Sequence, residues 1–160
     1  MTSATPQLTL RPASIDDLPV IATRIRYWAD RRVLLPIAAT DLTTALPAFR
    51  VLAARGSTDL LAFGSLRRYS PLLAEIRSLV VADGHRGRGL GRRLVGHLLE
   101  EAAGSGVRRV FVVTRFPGLF ERLGFAAVPR DTLAEKVDAD CSRCLRRSLC
   151  DQAALVKDLS

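Results

Sequence analysis

A glycine-rich stretch near the middle of this 160-residue chain joins a strand-like segment to a helix-like segment. The stretch reads Arg86-Gly87-Arg88-Gly89-Leu90-Gly91; the apolar run Ala74 to Val81 precedes it, and apolar residues at helical spacing follow it over 90–103. Glycines let successive backbone N–H groups turn toward an anion, and the first turn of a helix adds unpaired N–H groups and a positive dipole end. The pattern therefore predicts a phosphate site, to which the arginines add charge-matched donors.

The spacing of this stretch differs from two other phosphate loops. It is not Gly-x-Gly-x-x-Gly, no Gly-Lys-Ser/Thr follows it, and no acidic residue ends a later parallel strand. These differences disfavour a dinucleotide site and a nucleoside triphosphate site.

Hydrophobic periodicity predicts strands and helices along the whole chain. Strands are expected at 8–11, 50–54, 60–66, 74–81 and 107–114, from Gly124-Phe125 onward, and at 153–156; helices are expected after Ser14, at 40–48, at 90–103 and from Pro117. This order predicts an α+β (mixed α/β) fold whose sheet is mostly antiparallel in its first half. We expect one domain, 1–160, which includes a cysteine-containing C-terminal segment, 131–160.

The net charge of +8 suits a polyanionic partner, and a basic nucleic-acid-binding module is one alternative function. However, the arginines are scattered through every segment, the few aromatic residues are not interleaved with them, and no nucleic-acid-binding motif is evident. No apolar run approaches the roughly 20 residues of a membrane helix, and the first residues do not resemble a secretory signal. We expect no nucleic acid partner, no membrane partner and a cytoplasmic location.

Three cysteines, Cys141, Cys144 and Cys150, lie in the last fifth of the chain. An odd number of cysteines in a cytosolic context argues for reduced thiols. Two thiolates at the Cys141-x-x-Cys144 spacing suit a zinc ion, but a fourth ligand is not evident. We therefore expect no metal site.

Two segments resemble motifs of the GNAT acetyltransferases. Residues 86–91 resemble the family's Arg/Gln-x-x-Gly-x-Gly/Ala signature, and Phe120-Glu121-Arg122-Leu123-Gly124-Phe125 resembles its aromatic-x-x-x-Gly-Phe junction. The resemblance implies a three-layer fold with a central, mostly antiparallel sheet of six to seven strands flanked by helices, and acetyl-CoA as the cofactor. The cofactor-binding residues that it implies are Leu79, Val80, Val81, Arg86, Gly87, Arg88, Gly89, Leu90, Gly91, Arg92 and Phe120.

The same resemblance implies a catalytic arrangement. The strand 74–81 would splay from 107–114, a backbone N–H near Val80 would donate to the developing oxyanion, and Glu75 would be the base that deprotonates the amine. A solvent-facing Glu75 that pairs with Arg77 or Arg67 is the alternative. The family's usual tyrosine acid falls at Phe120, so no general acid is assigned, and the two tyrosines, Tyr27 and Tyr69, are interpreted as packing residues.

The layout is also similar to that of compact single-domain relatives of N-acetylglutamate synthase. The similarity rests on Leu34-Leu35-Pro36, Ala74-Glu75-Ile76, Thr114-Arg115 and the Cys-x-x-Cys tail. It implies transfer to the α-amino group of glutamate, for arginine biosynthesis, with Ile37 where the relatives place an arginine. The implied substrate-binding residues are Arg26, Leu34, Arg115, Arg146 and Arg147. The alternative acceptors are another small amine and a protein amino group, and the alternative function is that of a non-catalytic acetyl-CoA-binding domain. GNAT domains often form homodimers.

Overall fold

The structure is a computed structural model, which describes residues 7–133 and 152–159. Its strands and helices follow in this order: β1 (Leu8–Pro12), α1 (Leu18–Asp30), α2 (Ala39–Ala45), β2 (Phe49–Ala54), β3 (Leu60–Arg68), β4 (Leu73–Val81), α3 (Leu90–Gly104), β5 (Arg109–Thr114), α4 (Gly118–Arg122), β6 (Ala126–Val128) and β7 (Ala153–Asp158). Short 3-10 helices span Ile15–Asp17, Leu46–Ala48 and Arg130–Thr132. This succession confirms the predicted mixed α/β class.

The seven strands form one sheet in the order β1-β2-β3-β4-β5-β7-β6. Strand pairs are antiparallel except β4 and β5, which are parallel because α3 carries the chain back between them. The mostly antiparallel sheet of six to seven strands that the sequence predicts is therefore confirmed. β7 lies between β5 and β6, although it follows both in the chain.

Helices cover both faces of the sheet. The apolar face of α3 buries Leu94, Val95 and Leu98 against strand residues that include Ala62 and Ile76. On the other face, α1 and α2 pack on a second cluster; its buried members include Ile21, Ile25, Leu42, Val51, Phe63 and Val80. In the resulting helix–sheet–helix arrangement, β4 has buried side chains on both faces: Ile76 packs in the α3 cluster and Val80 in the α1 and α2 cluster.

The second helix ends earlier than the sequence predicts. The α-helical part stops at Ala45 and continues as a 3-10 turn over Leu46–Ala48. Pro47 accounts for the difference, because proline has no N–H with which to continue the helical hydrogen bonds.

β4 is irregular at its centre. Ser65 faces Arg77 and Phe63 faces Val80, so that Ser78 and Leu79 together oppose one residue of β3. Ser78 has a φ of 55°, in the left-handed region, and such a bulge bends the strand. Pairing between β4 and β5 also stops at Glu75, which faces Phe111. The splay between these strands that the family resemblance implies is thus confirmed, and it opens a cleft along the second half of β4.

Asp17 fixes the turn that leads into α1. Its carboxylate accepts hydrogen bonds from the Arg11 guanidinium at 2.6 and 3.0 Å and from the backbone N–H of Ser14 at 2.8 Å. The hydrogen bond from Arg11 is the main reason that the pKa of Asp17 lies below its usual value, and the bond from Ser14 acts in the same direction. Ser14 and the acidic residue three positions later therefore form a capping box at the start of this helical segment.

We expect Asp17→Asn to lower the free energy of unfolding by about 2 kcal/mol at neutral pH, because buried charge-assisted hydrogen bonds are lost. Since folding lowers this carboxyl pKa, its stabilising effect is present above the unfolded value of about 4 and is lost as the pH falls through the lower folded value. Urea unfolding at pH 7 and at pH 3 should show the difference from wild type shrinking in acid. The neighbouring Asp16, which is exposed, provides the control variant Asp16→Asn. An equal loss at both pH values would contradict the electrostatic explanation.

Candidate active site

The glycine-rich stretch forms the connection from β4 to α3, on the wall of a pocket of about 600 Å³. Gly87 and Gly89 both have a φ of +77°, a conformation that side chains with a Cβ rarely adopt. The first α3 hydrogen bond runs from the Arg93 N–H to the Gly89 carbonyl at 3.0 Å, so the N–H groups of residues 90–92 have no carbonyl one turn earlier in the helix. These amides and the dipole of a 15-residue helix fit the pyrophosphate of coenzyme A.

Residues from several parts of the fold line this larger pocket. The lining residues are Trp28, Val33, Leu34, Leu79, Val80, Val81, His85, Arg86, Gly87, Gly89, Leu90, Gly91, Arg92, Phe116, Leu119 and Arg122. Nearly all of the predicted cofactor residues therefore lie together, while Arg88 is exposed and is not among the lining residues. Trp28, His85 and Arg122 were not predicted to take part.

Trp28 holds one of the predicted phosphate ligands in place. The Arg86 guanidinium carbon lies 4.9 Å from the centre of the Trp28 ring, and Arg86 Nη2 lies 3.7 Å from a carboxylate oxygen of Asp83. A cation over an indole face is attracted by the ring quadrupole. The contact ties the start of the glycine-rich stretch to the last turn of α1.

A smaller pocket of about 190 Å³ adjoins the larger one where β4 and β5 separate. The two pockets share five lining residues: Val33, Leu34, Leu79, Phe116 and Leu119. Polar side chains of the smaller pocket include Glu75, Arg77, Thr114 and Gln152. The two pockets form a continuous cleft along β4, from Glu75 at one end to the start of α3 at the other.

Glu75 is a buried carboxylate on the wall of the smaller pocket, with 2% of its surface exposed. Its neighbours Ala74 and Ile76 pack in the cluster beneath α3, so Glu75 lies on the opposite face of the sheet. The Tyr69 hydroxyl donates a hydrogen bond to Glu75 Oε1 at 2.9 Å, and Arg77 Nε lies 3.6 Å from the same oxygen. Burial of an unpaired carboxylate would be costly; the hydrogen bond from Tyr69 and the positive charge of Arg77 offset that cost.

Tyr69 is a site residue that the sequence analysis did not assign. Its ring packs against Phe111 at a centroid distance of 5.5 Å, and the Arg67 guanidinium carbon lies 4.7 Å from the ring centre. The backbone N–H of Tyr69 donates to Leu73 in the β3–β4 hairpin, which makes Tyr69 and Glu75 diagonal neighbours. Ser70-Pro71-Leu72 has the composition of a tight turn. A hairpin with this turn would have placed the Tyr69 phenol close to the Glu75 carboxylate.

Backbone groups of β4 differ in the direction they face. The N–H of Ala82 donates to the carbonyl of Leu61 in β3 at 2.8 Å, so these two residues form a hydrogen-bonded pair of the ladder. The pair of Val80 and Phe63 lies two positions along the same ladder. Hydrogen-bonded and non-hydrogen-bonded pairs alternate in an antiparallel ladder, so the N–H of Val80 points at β3. Leu79 lies at the bulge and lines both pockets, whereas Val80 lines only the larger one.

The residues predicted to bind substrate do not all converge on the cleft. Leu34 lines both pockets, whereas Arg26 and Arg115 are exposed and are not among the lining residues of either one. Arg115 donates to the Arg32 carbonyl at 3.3 Å. Arg146 and Arg147 lie outside the described residues, as do the three cysteines.

Phe120, which occupies the place of the family's usual tyrosine, is buried. It packs edge-to-face on Phe125 at 5.4 Å and lines the smaller pocket, not the larger one. Its contribution to the cleft is an apolar wall next to the point where the two pockets join.

Within 7–133 and 152–159, no group of three or more His, Cys, Asp or Glu side chains is arranged to hold a metal ion. No helix in this part of the chain is long and apolar enough to cross a bilayer.

Sequence comparisons find acetyltransferases. Residues 20–125 match the family described as Acetyltransferase (GNAT) family. An uncharacterized N-acetyltransferase of Chlorobaculum tepidum is 30% identical over 150 residues, which cover 94% of this chain and 96% of that protein. An amino-acid acetyltransferase of Neisseria meningitidis is 28% identical over 80% of this chain, but the match spans only 29% of the longer protein.

Solved structures share the fold over nearly the whole chain. A Mycobacterium tuberculosis protein in complex with CoA and NLQ superposes with a TM-score of 0.82 at 24% identity and covers 95% of this chain and 99% of that one. N-acetylglutamate synthase from Neisseria gonorrhoeae, complexed with coenzyme A and N-acetyl-glutamate, gives a TM-score of 0.85 at 26% identity; the match covers 98% of this chain and 36% of the synthase.

The family match covers most of the chain, the Chlorobaculum relative matches it almost end to end, and the amides at the start of α3 are arranged as an anion requires. The chain belongs to the GNAT acetyltransferase family and is an N-acetyltransferase that uses acetyl-CoA.

Proposed function

We propose that this enzyme acetylates the α-amino group of a small amino acid, with glutamate as the acceptor and arginine biosynthesis as the pathway. One observation carries the proposal: a buried carboxylate, Glu75, lines a pocket of about 190 Å³ that opens into the coenzyme A pocket. A pocket of this size suits an amino acid and is too small for a folded protein surface to enter. The relationship to an amino-acid acetyltransferase and to N-acetylglutamate synthase supports glutamate, although this chain spans about a third of those proteins.

Acetyl-CoA supplies an acyl group activated as a thioester. The described residues that fit it are the amides of 90–92 and the Arg86 and Arg92 guanidinium groups at the pyrophosphate end of the cleft. Along β4, the backbone of the strand beyond the bulge provides hydrogen-bonding groups on the side that β5 leaves open.

Glu75 is the proposed general base. An α-amino group is largely protonated at neutral pH and attacks a thioester only after it has lost a proton. A carboxylate on the pocket wall accepts this proton directly or through one water molecule. The Tyr69 hydroxyl and Arg77 orient the carboxylate, since both contact the same oxygen.

The proposed oxyanion donor is the N–H of Leu79 instead of that of Val80. The ladder alternation directs the Val80 N–H at β3, and Leu79 lies where the two pockets meet. A preorganised donor of this kind stabilises the developing charge by about 3 kcal/mol in other acyl-transfer sites. No tyrosine acid is needed for the leaving group, because a thiolate with a pKa near 8.5 is a tolerable anion that solvent can protonate.

Thiol release from acetyl-CoA, measured with a panel of acceptors, tests this function. We expect glutamate to give the highest kcat/KM among glutamate, glutamine, aspartate, alanine, spermidine, an aminoglycoside and a short peptide with a free N-terminus. Faster transfer to the spermidine, aminoglycoside or peptide amine would contradict an amino-acid acceptor while leaving the acetyltransferase assignment intact. Coenzyme A binding without product from any acceptor would instead favour a non-catalytic binding domain.

A further inference from the structure

We propose that Arg77 binds the α-carboxylate of the acceptor and thereby restricts the enzyme to α-amino acids. The proposal deepens the function proposed above and rests on it. It assigns a specificity-determining role to a side chain that the sequence analysis named only as an alternative partner of Glu75.

Arg77 lies beside the proposed base. The two residues are two positions apart on β4 and share a face of the sheet. Arg77 Nε lies 3.6 Å from Glu75 Oε1, and 15% of the Arg77 side chain is exposed. Among the described residues, Arg77 is the only cationic side chain that lines the smaller pocket. Arg67, which faces Glu75 across the β3–β4 ladder, lines a neighbouring pocket together with Arg77 but not the smaller pocket itself.

Covalent geometry decides which acceptor group such a cation serves. In an α-amino acid, the nitrogen and the carboxylate carbon are bonded to the same atom and lie about 2.5 Å apart, as the standard bond lengths and angle dictate. When a base contacts the amine, the α-carboxylate therefore lies next to the base, where a neighbouring side chain can contact it. A cation that recognises a remote side-chain carboxylate would have to lie several ångströms farther along the pocket. The closeness of Arg77 to Glu75 consequently favours the α-carboxylate.

The guanidinium group has the donors for this double role. It presents five N–H groups in a planar fork, so one edge can contact Glu75 while another contacts an acceptor carboxylate. The amine proton then has an acceptor, and the substrate carboxylate has a counter-ion, within a single small pocket. A polyamine or an aminoglycoside would place a second positive charge near Arg77, which would disfavour its binding.

Assays of Arg77→Gln with three acceptors show which carboxylate of glutamate Arg77 binds. Glutamate has both carboxylates, glutamine lacks the side-chain one, and isoglutamine, the α-amide of glutamate, lacks the α one. Loss of the contact with Glu75 should lower kcat to a similar extent on all three acceptors. Beyond that common loss, we expect the variant to lose about a further tenfold in kcat/KM on glutamate and on glutamine, mainly through KM, and no further activity on isoglutamine. Arg77→Lys, which keeps the charge but not the fork, should recover part of the loss. Arg108→Gln, on an exposed residue just before β5, is the control for removal of a surface charge.

Other outcomes would overturn the proposal. An equal loss on all three acceptors, through kcat, would mean that Arg77 acts only on Glu75. A loss of kcat/KM on glutamate and isoglutamine, without a loss on glutamine, would mean that Arg77 binds the side-chain carboxylate. The wild-type acceptor panel distinguishes failure of the glutamate assignment from failure of the Arg77 role. If the preferred acceptor is another α-amino acid, the glutamate assignment is wrong, and the role of Arg77 is tested with that acceptor and its α-amide. A preferred acceptor without a carboxylate overturns both.

Discussion

Replacement of Glu75 by glutamine should lower kcat for acetyl transfer by about 100-fold, because a positioned general base contributes roughly that much or more. The amide keeps the size of the side chain and can still accept a hydrogen bond from Tyr69, but it cannot take up the amine proton. Binding of acetyl-CoA should stay within about twofold, since Glu75 lines the smaller pocket and not the larger one. Thiol-release kinetics and coenzyme A titration measure the two quantities.

Glu100→Gln provides the matched control for this change. Glu100 is exposed on α3, so the same loss of a negative charge should leave kcat unaltered there. Urea unfolding of both variants checks that the domain remains folded. A Glu75→Gln enzyme that is folded and retains more than a third of the wild-type kcat would leave Glu75 with a purely structural role as the partner of Arg77 and Tyr69.

Gly89→Val should weaken acetyl-CoA binding by roughly 30-fold. Gly89 is the residue before α3 and has a φ of 77° and a ψ of 12°, in the left-handed region. That conformation costs an ordinary residue about 1–2 kcal/mol, and a β-branched residue more. The loop is expected to relieve the strain by turning its amides away from the phosphate position, and 1.4 kcal/mol of lost binding corresponds to a factor of ten. Isothermal titration with coenzyme A gives the dissociation constant directly.

A glycine inside α3 separates the effect of conformation from that of an added side chain. Gly96 has ordinary helical geometry, and a Cβ added there would meet nothing within 4 Å. Gly96→Ala should therefore stabilise the protein by about 0.5–1 kcal/mol and leave coenzyme A binding unchanged. Unaltered affinity in Gly89→Val would show that the positive φ at this loop is not required for the cofactor.

The sequence predicted the cofactor end of the cleft better than the acceptor end. The phosphate site is local: it depends on glycines, arginines and a helix start within a dozen residues, and the structure has them in that arrangement. The acceptor end depends on contacts between separate strands. Alternation along a strand does not say which face is buried, so the position of Glu75 could not be derived from its own segment.

The arginine of the acceptor pocket was hard to predict for a related reason. Arg26 and Arg115 were selected by resemblance. In the structure, Tyr69 reaches Glu75 because of the register of one hairpin, and Arg77 lies beside Glu75 because it is two positions farther along the same strand. In a chain with many arginines, residue type carries little information about which one lines a pocket. The bulge at Ser78 was equally hidden, since serine has no marked preference for a left-handed φ.

The position of β7 has a consequence for the order in which the protein folds. β6 contacts the rest of the sheet through β7, so it cannot be incorporated until a segment that is translated later has paired with β5. The pair Arg109 and Asp158 closes a separation of 49 residues, and Leu155 in the middle of β7 is fully buried. Contacts over such separations form slowly, because the loop must close before the pairing compensates its entropy. Docking of β7 is therefore expected to precede that of β6, and until it occurs β5, one wall of the acceptor pocket, lacks its partner on that side.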